Sequence, residues 1–207
     1  MLKTRIAVFV SGGGTNLQAL LDAQADGKLT AGEIVLVLAS NDSAYALTRA
    51  ERFGVPTAVC SRRALGSQEA FEAAMEAELA AHSIDMIVLA GFMSILSKRF
   101  TDKWPERIVN VHPALIPSFC GEGFSGLRVH RAALERGVKV TGATVHFVNE
   151  IPDGGRILLQ KAVSVEAGDT PETLQRRVME QAEWILLPQA VQMVAEQIVK
   201  EKEHENV

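Results

Sequence analysis

The chain has only two cysteines, Cys60 and Cys120, in 207 residues. They allow one disulfide at most. Neither stands at metal-ligand spacing from another Cys or His, so the composition predicts reduced thiols, a cytoplasmic location and no metal site. No apolar run approaches the roughly 20 residues of a membrane span, and Met1-Leu2-Lys3-Thr4-Arg5 leads straight into a short apolar strand without the h-region of a signal peptide. Basic charge is not in excess either. Lys and Arg number 21 against 25 Asp and Glu, a formal net charge of −4, so no bulk attraction to nucleic acid or an anionic membrane is expected. Internal repeats and low-complexity linkers are missing, which favours one domain over 1–207. Nucleophile motifs are missing as well: there is no Gly-x-Ser-x-Gly and no Cys with a clear His partner. Direct group transfer, without a covalent enzyme intermediate, is therefore favoured over a covalent route.

What remains is 47% hydrophobic and 22% charged, ordinary for a globular enzyme. Short apolar runs at 6–10, 34–39, 56–60, 86–90 and 107–111 read as strands. Helical stretches at 16–25, 44–53 and 68–82 separate the first four. Continuous apolar strands between helices mean a parallel sheet covered on both faces. After a Gly-rich loop (118–126) and a helix (129–135), the runs at 140–148 and 156–165 are joined by too short a link for a helical crossover, so they pair as an antiparallel hairpin. Residues 170–203 read as helix, with Pro188 forcing a kink or break, and the charged residues 201–207 as a frayed end. The predicted fold is α/β: Rossmann-like, a mostly parallel sheet, a C-terminal antiparallel hairpin and a long terminal helix.

Three segments carry candidate chemistry. Ser11-Gly12-Gly13-Gly14-Thr15-Asn16 joins the first strand to the first helix, where glycines and free helix N–H groups suit a phosphate. It is not a P-loop, and Leu17 spoils the dinucleotide fingerprint. The same residues also fit a tight turn capped by Thr15 or Asn16. Asn110-Val111-His112-Pro113 ends a strand, and alternation sends Asn110 and His112 to one face. That is a carboxamide donor beside a proton carrier at the edge where open α/β sheets place chemistry; a satisfied polar pair fits equally. Asp153, in Pro152-Asp153-Gly154-Gly155, is ordinary turn chemistry unless it folds back to raise and orient His112. Asn, His and Asp together would supply an oxyanion donor, a general acid/base and its support, suited to attack by an amine on a carbonyl. His146 alternates with Thr144 and Val148 and is either a partly buried strand histidine with one hydrogen bond or a candidate site residue. His130 either lines a phosphate site or sits in solvent.

In order along the chain, these segments resemble the glycinamide ribonucleotide formyltransferase family. Ser11 to Gln18 resembles its phosphate loop, and Leu89-Ala90-Gly91-Phe92-Met93-Ser94-Ile95-Leu96 its folate-pocket segment. Asn110 to Pro113 with Ile116-Pro117-Ser118-Phe119 resembles its catalytic strand end. Gly142 to Val148 and Asp153 to Gln160 resemble the strand, turn and return strand that follow. The resemblance implies transfer of a formyl group from 10-formyltetrahydrofolate, as co-substrate, to the amino group of glycinamide ribonucleotide in purine synthesis, with no metal. It implies catalysis by Asn110, His112 and Asp153, and ribonucleotide binding by Gly14, Thr15, Asn16 and Glu183. A folate pocket would be lined by Met93, Ser94, Ile95, Leu96, Asn149, Glu150, Ile151 and Pro152, with His146 and Gln68 as further candidates. Ser94 and Gln68 stand where many relatives carry arginine. Near Met179 and Glu180 there is one more residue before Glu183 than some relatives have. Residues 1–106 would form the nucleotide-binding half and 107–207 the catalytic and folate-binding half of a monomer or homodimer. Two other readings stay open. A formyltetrahydrofolate hydrolase-like enzyme would share the Asn-His-Asp site but usually carries an extra N-terminal domain. A non-catalytic nucleotide-binding module would use only the glycine loop.

Overall fold

The computed structural model of the protein describes residues 2–205. Its strands are β1 (Thr4–Val10), β2 (Gly32–Ala39), β3 (Thr57–Val59), β4 (Met86–Leu89), β5 (Ile108–His112), β6 (Val140–Phe147) and β7 (Ile157–Ser164). They form a seven-stranded sheet in the order β3-β2-β1-β4-β5-β6-β7. The first five are parallel, whereas β6 runs antiparallel to β5, and β7 to β6. The α/β class, the mostly parallel sheet and the antiparallel hairpin are as the sequence predicts.

Why the parallel strands read as unbroken apolar runs is plain from their packing. On β1, Ile6, Val8 and Val10 face one core cluster, and Ala7 and Phe9 face the other. The first face is covered by α1 (Thr15–Ala25), α2 (Tyr45–Arg52) and α8 (Trp184–Glu205), through residues such as Leu17, Leu20, Ala46 and Val191. The second is covered by α4 (Gln68–Ala81), through Phe71, Met75 and Leu79, and by Phe100 of α5 (Lys98–Thr101). With both faces dry, alternation disappears from the sequence.

The chain order turns back between β1 and β4. In an open parallel sheet, ligands bind outside the carboxyl ends of the strands at such a switch point. The glycine loop leaves β1 there, the 91–97 segment leaves β4 there, and His112 ends β5 there.

Two expectations need correcting. Pro188 lies inside α8 without breaking it. A proline leaves the carbonyl four residues back without its helical partner, here that of Trp184, the first residue of α8. The irregularity is taken up just before it, in a π turn at Met179–Glu183 that follows α7 (Pro171–Val178). The charged end is not frayed as far as Glu205, where the helix still continues. Ion pairs hold it to the sheet side: Arg107 to Glu201 at 2.6 Å and Lys202 to Asp85 at 2.6 Å. Residues 206–207 of that expectation lie outside the described residues. The four-residue helices α3 (Arg62–Leu65) and α5 are additions that periodicity could not reveal, being barely one turn long. Among the described residues no helix is long and apolar enough to cross a membrane.

Candidate active site

The site begins where β5 pairs with β6. The antiparallel register sets Asn110 opposite His146 and His112 opposite Thr144. Strand alternation then turns Asn110, His112 and His146 toward one face, and the turn after β6 brings Asp153 over them. Its carboxylate lies 3.4 Å from Nδ1 of His112 and 3.5 Å from Nε2 of His146. The turn is shaped to do this. Asp153 has φ +56°, the left-handed region that Asp tolerates better than most residues. Gly155 passes so close to β6 that a Cβ there would sit 1.8 Å from the Phe147 carbonyl oxygen.

Hydrogen bonds fix the orientations. Nδ1 of His146 lies 2.7 Å from the Phe147 carbonyl, so in the neutral ring it carries the proton there. Nε2 faces both Nδ2 of Asn110 at 3.2 Å and the Asp153 carboxylate at 3.5 Å: it accepts from the amide when the ring is neutral and donates to the carboxylate when the ring is protonated. Asn110 keeps a second amide hydrogen to donate elsewhere. His112 has an acceptor at each ring nitrogen: the Phe119 carbonyl 2.8 Å from Nε2, and Asp153 beyond Nδ1. Burial pushes this imidazole below its ordinary value, against the pull of Asp153 and of the Phe119 carbonyl. Burial would raise Asp153, but His146, the Gly121 N–H at 2.8 Å and His112 together outweigh it and hold the carboxyl below its usual range. The arrangement is an ionised carboxylate beside an imidazole that readily gives up its proton.

Above this group is a cavity of about 140 Å³ lined by Asn110, His146, Asp153, Ser94–Leu96 and 149–152 among others. It gathers every residue expected around a folate except Met93 and Gln68. Met93 is exposed, and its N–H bonds to Ser11 Oγ at 2.9 Å. Gln68 sits behind the cavity wall, bonded to the Ile95 carbonyl and to Glu72. His112 lies beneath, 4% exposed.

The glycine loop forms the neighbouring feature. Gly14 caps α1 in the left-handed conformation, with φ 73°, and a Cβ there would be 2.6 Å from that of Ala46. The expectation of a Thr15 or Asn16 cap is corrected: no side chain caps α1, and its first turn holds no acidic residue. Thr15 Oγ1 faces the Met179 sulfur at 3.8 Å, and Asn16 Nδ2 donates to Glu183 at 2.7 Å. The helix N-terminus is left open to an anion. Arg49, which sequence reasoning missed, reinforces it, donating to the Gly13 carbonyl at 2.8 Å and to Gln18 at 2.9 Å. A signal for it existed: Arg49 is three residues from Ala46 on one helix, so the residue under Gly14 and the cation share a face. Glu183 is buried, and burial pushes its carboxyl up to about 7 against the Asn16 hydrogen bond. The Phe119 carbonyl and Gly121 N–H were also missed. Backbone groups reached through a fold leave no trace in residue type.

His130 is neither at a phosphate nor in solvent, the two places expected for it. It is fully buried on α6 (Leu127–Arg136), with both ring nitrogens unpartnered. Burial and the charge of His112 lower it to about 4. A larger cavity of about 830 Å³ lies against α1 and α8 and touches Thr15 but neither Asn110 nor Asp153.

The formyl transferase family matches residues 4–191. The chain is 46% identical over 193 residues to the trifunctional purine biosynthetic protein adenosine-3 of Gallus gallus, covering 93% of this chain and 18% of that protein. The chain thus spans about a fifth of the trifunctional relatives it matches. It is 38% identical to the phosphoribosylglycinamide formyltransferase of Haemophilus influenzae, covering 93% of this chain and 87% of that one. The crystal structure of glycinamide ribonucleotide transformylase 1 from Symbiobacterium toebii is similar at a TM-score of 0.88 and 42% identity, covering 94% of this chain and 89% of that chain.

Proposed function

The chain belongs to the formyl transferase family, and on that basis we propose that it transfers the formyl group of 10-formyltetrahydrofolate to the amino group of glycinamide ribonucleotide in purine synthesis. The observation that carries the reading is the convergence of His112, His146 and Asp153 beneath a cavity that Asn110 lines, beside an uncapped helix N-terminus. One end suits an acyl carbon and the other an anion.

The steps follow from the atoms. The ribonucleotide phosphate rests on the backbone of Gly14, Thr15 and Asn16, with Arg49 supplying charge behind the loop. Glu183 accepts from the ribose hydroxyls. The formyl donor fills the cavity along 93–96 and 149–152. The amine attacks the formyl carbon, and the new C–N bond forms as the carbonyl oxygen gains charge. Asn110 donates its free amide hydrogen to that oxyanion. His112 takes the proton from the attacking nitrogen and returns it to the donor's nitrogen as the old C–N bond breaks. Asp153 supports the imidazolium while it lasts. For this, Nε2 of His112 exchanges the Phe119 carbonyl for substrate or a bridging water. The reaction needs no metal, and the whole chain acts as one domain.

The test is the dependence of tetrahydrofolate release on each substrate. The expected result is release only when ribonucleotide and 10-formyltetrahydrofolate are both present. Release without the ribonucleotide would make the protein a hydrolase. Ribonucleotide binding without release would make it a nucleotide-binding module.

A further inference from the structure

The irregular segment between β4 and α5 forms one wall of the small cavity through Phe92, Ser94, Ile95 and Leu96. Apolar burial anchors its two sides, where Phe92 packs on Phe9 and Phe71 and Leu96 is 6% exposed in the core, but between them Met93 and Ile95 are 62% and 60% exposed. The irregular stretch between these anchors, with its side chains in solvent, needs polar restraints to keep one shape. One is the Met93 N–H bond to Ser11 Oγ; the others centre on Glu72 of α4, a carboxylate only 1% exposed. One oxygen of Glu72 accepts from the Ser97 N–H at 2.7 Å and from Gln68 Nε2 at 2.7 Å. The other accepts from Ser97 Oγ at 2.7 Å and from Arg99 at 3.2 Å. Gln68, held this way, passes the restraint on by donating to the Ile95 carbonyl at 3.1 Å. Burial alone would raise this carboxyl, yet the donors around it leave it below its ordinary value. Two of the four donors come from Ser97, which follows the wall residue Leu96 and caps α5, and a third from Gln68, which reaches the wall residue Ile95.

We propose that Glu72 is a positioning residue for the formyl donor, acting through Ser97, and through Gln68 on Ile95, to set the wall of the small cavity. The claim rests on the function proposed above. Glu72 touches neither substrate, and its own hydrogen bonds run to Ser97, Gln68 and Arg99; the segment's bond to the glycine loop, from Met93 N–H to Ser11 Oγ, does not involve it, so its effect falls on the donor side. An uncharged carboxamide at this place cannot accept from all four donors, since its amino group would replace an oxygen that accepts from two of them.

Glu72→Gln tests this in the full chain. The KM for 10-formyltetrahydrofolate is expected to rise roughly tenfold or more, as loss of buried charge-assisted bonds implies. The ribonucleotide KM and kcat should stay within about threefold. In the same variant, amide exchange at Ser97 should quicken while that of β1 does not. An unchanged donor KM, or an equal rise in both KM values, overturns the proposal. Should Glu72→Gln fail to fold, Gln68→Ala cuts only the link to Ile95 and is expected to raise the donor KM several-fold; no rise overturns the proposal equally. If the wild-type protein shows no transfer at all, the functional reading fails instead. Ser97 exchange in Glu72→Gln then still reports whether Glu72 holds the wall, and unchanged exchange overturns that too.

Discussion

At the end of β1 the chain presents backbone; where β5 meets β6 it presents side chains. The glycine loop is six consecutive residues, and what it offers a ligand is N–H groups and a helix end, with Arg49 behind. The Asn110, His112, His146 and Asp153 group is drawn from two strands and a turn spread over 44 positions, and what it offers is titratable chemistry. The first region needs the absence of side chains, since a Cβ at Gly14 would strike Ala46. The second needs particular side chains in a particular register. A site that only holds an anion can be local, whereas one that moves a proton between groups requires tertiary structure to bring them together.

If that division is right, the two regions fail differently. The largest effect is expected at His112. His112→Ala should lower kcat on the order of 10²-fold or more by removing the general acid/base, with the ribonucleotide KM little changed. Steady-state kinetics with each substrate varied checks both parts. Arg49→Met should do the reverse, raising the ribonucleotide KM roughly tenfold for one lost charged contact with kcat within a few-fold. A large fall in kcat there would break the division.

The smallest effect is in the pH dependence of stability. Glu183, at about 7 when folded against 4.5 as a free side chain, holds its proton more tightly in the folded protein. Its contribution is therefore complete below the unfolded value and is lost as pH rises through about 7. The urea midpoint of the wild type, relative to Glu183→Gln, should fall between about pH 5 and about pH 8. A difference that is flat or rises would place the Glu183 carboxyl elsewhere on the scale.

The same contrast explains what could be read from residue order. The parallel strands were legible because burial on both faces makes them continuously apolar, and the hairpin because 149–155 is too short for a crossover. The glycine loop was legible because it is contiguous. Asn110 and His112 were legible as a pair through strand alternation, but Asp153 looked like any turn aspartate, because what aims it is the close passage of Gly155 past Phe147. The partners of His112 and Asp153 at Phe119 and Gly121 are backbone atoms and carry no residue signal. The helix ahead of Pro188 was misread for a related reason. Proline fixes where a hydrogen bond is missing, but the helix runs on through Pro188 and the irregular turn lies ahead of it at Met179–Glu183. His130 shows the limit of polarity as a guide, since it is charged or exposed in most settings and here is buried with neither nitrogen paired.

The most direct test is the single-turnover rate of Asp153→Asn, measured beside its ribonucleotide dissociation constant. The substitution keeps the size of the side chain and removes the charge that faces both histidines. The predicted result is a transfer rate lower by roughly 10²-fold or more, the scale of acid/base catalysis, with the dissociation constant within about threefold. Transfer at near the wild-type rate would contradict the claim that proton movement is organised around this carboxylate.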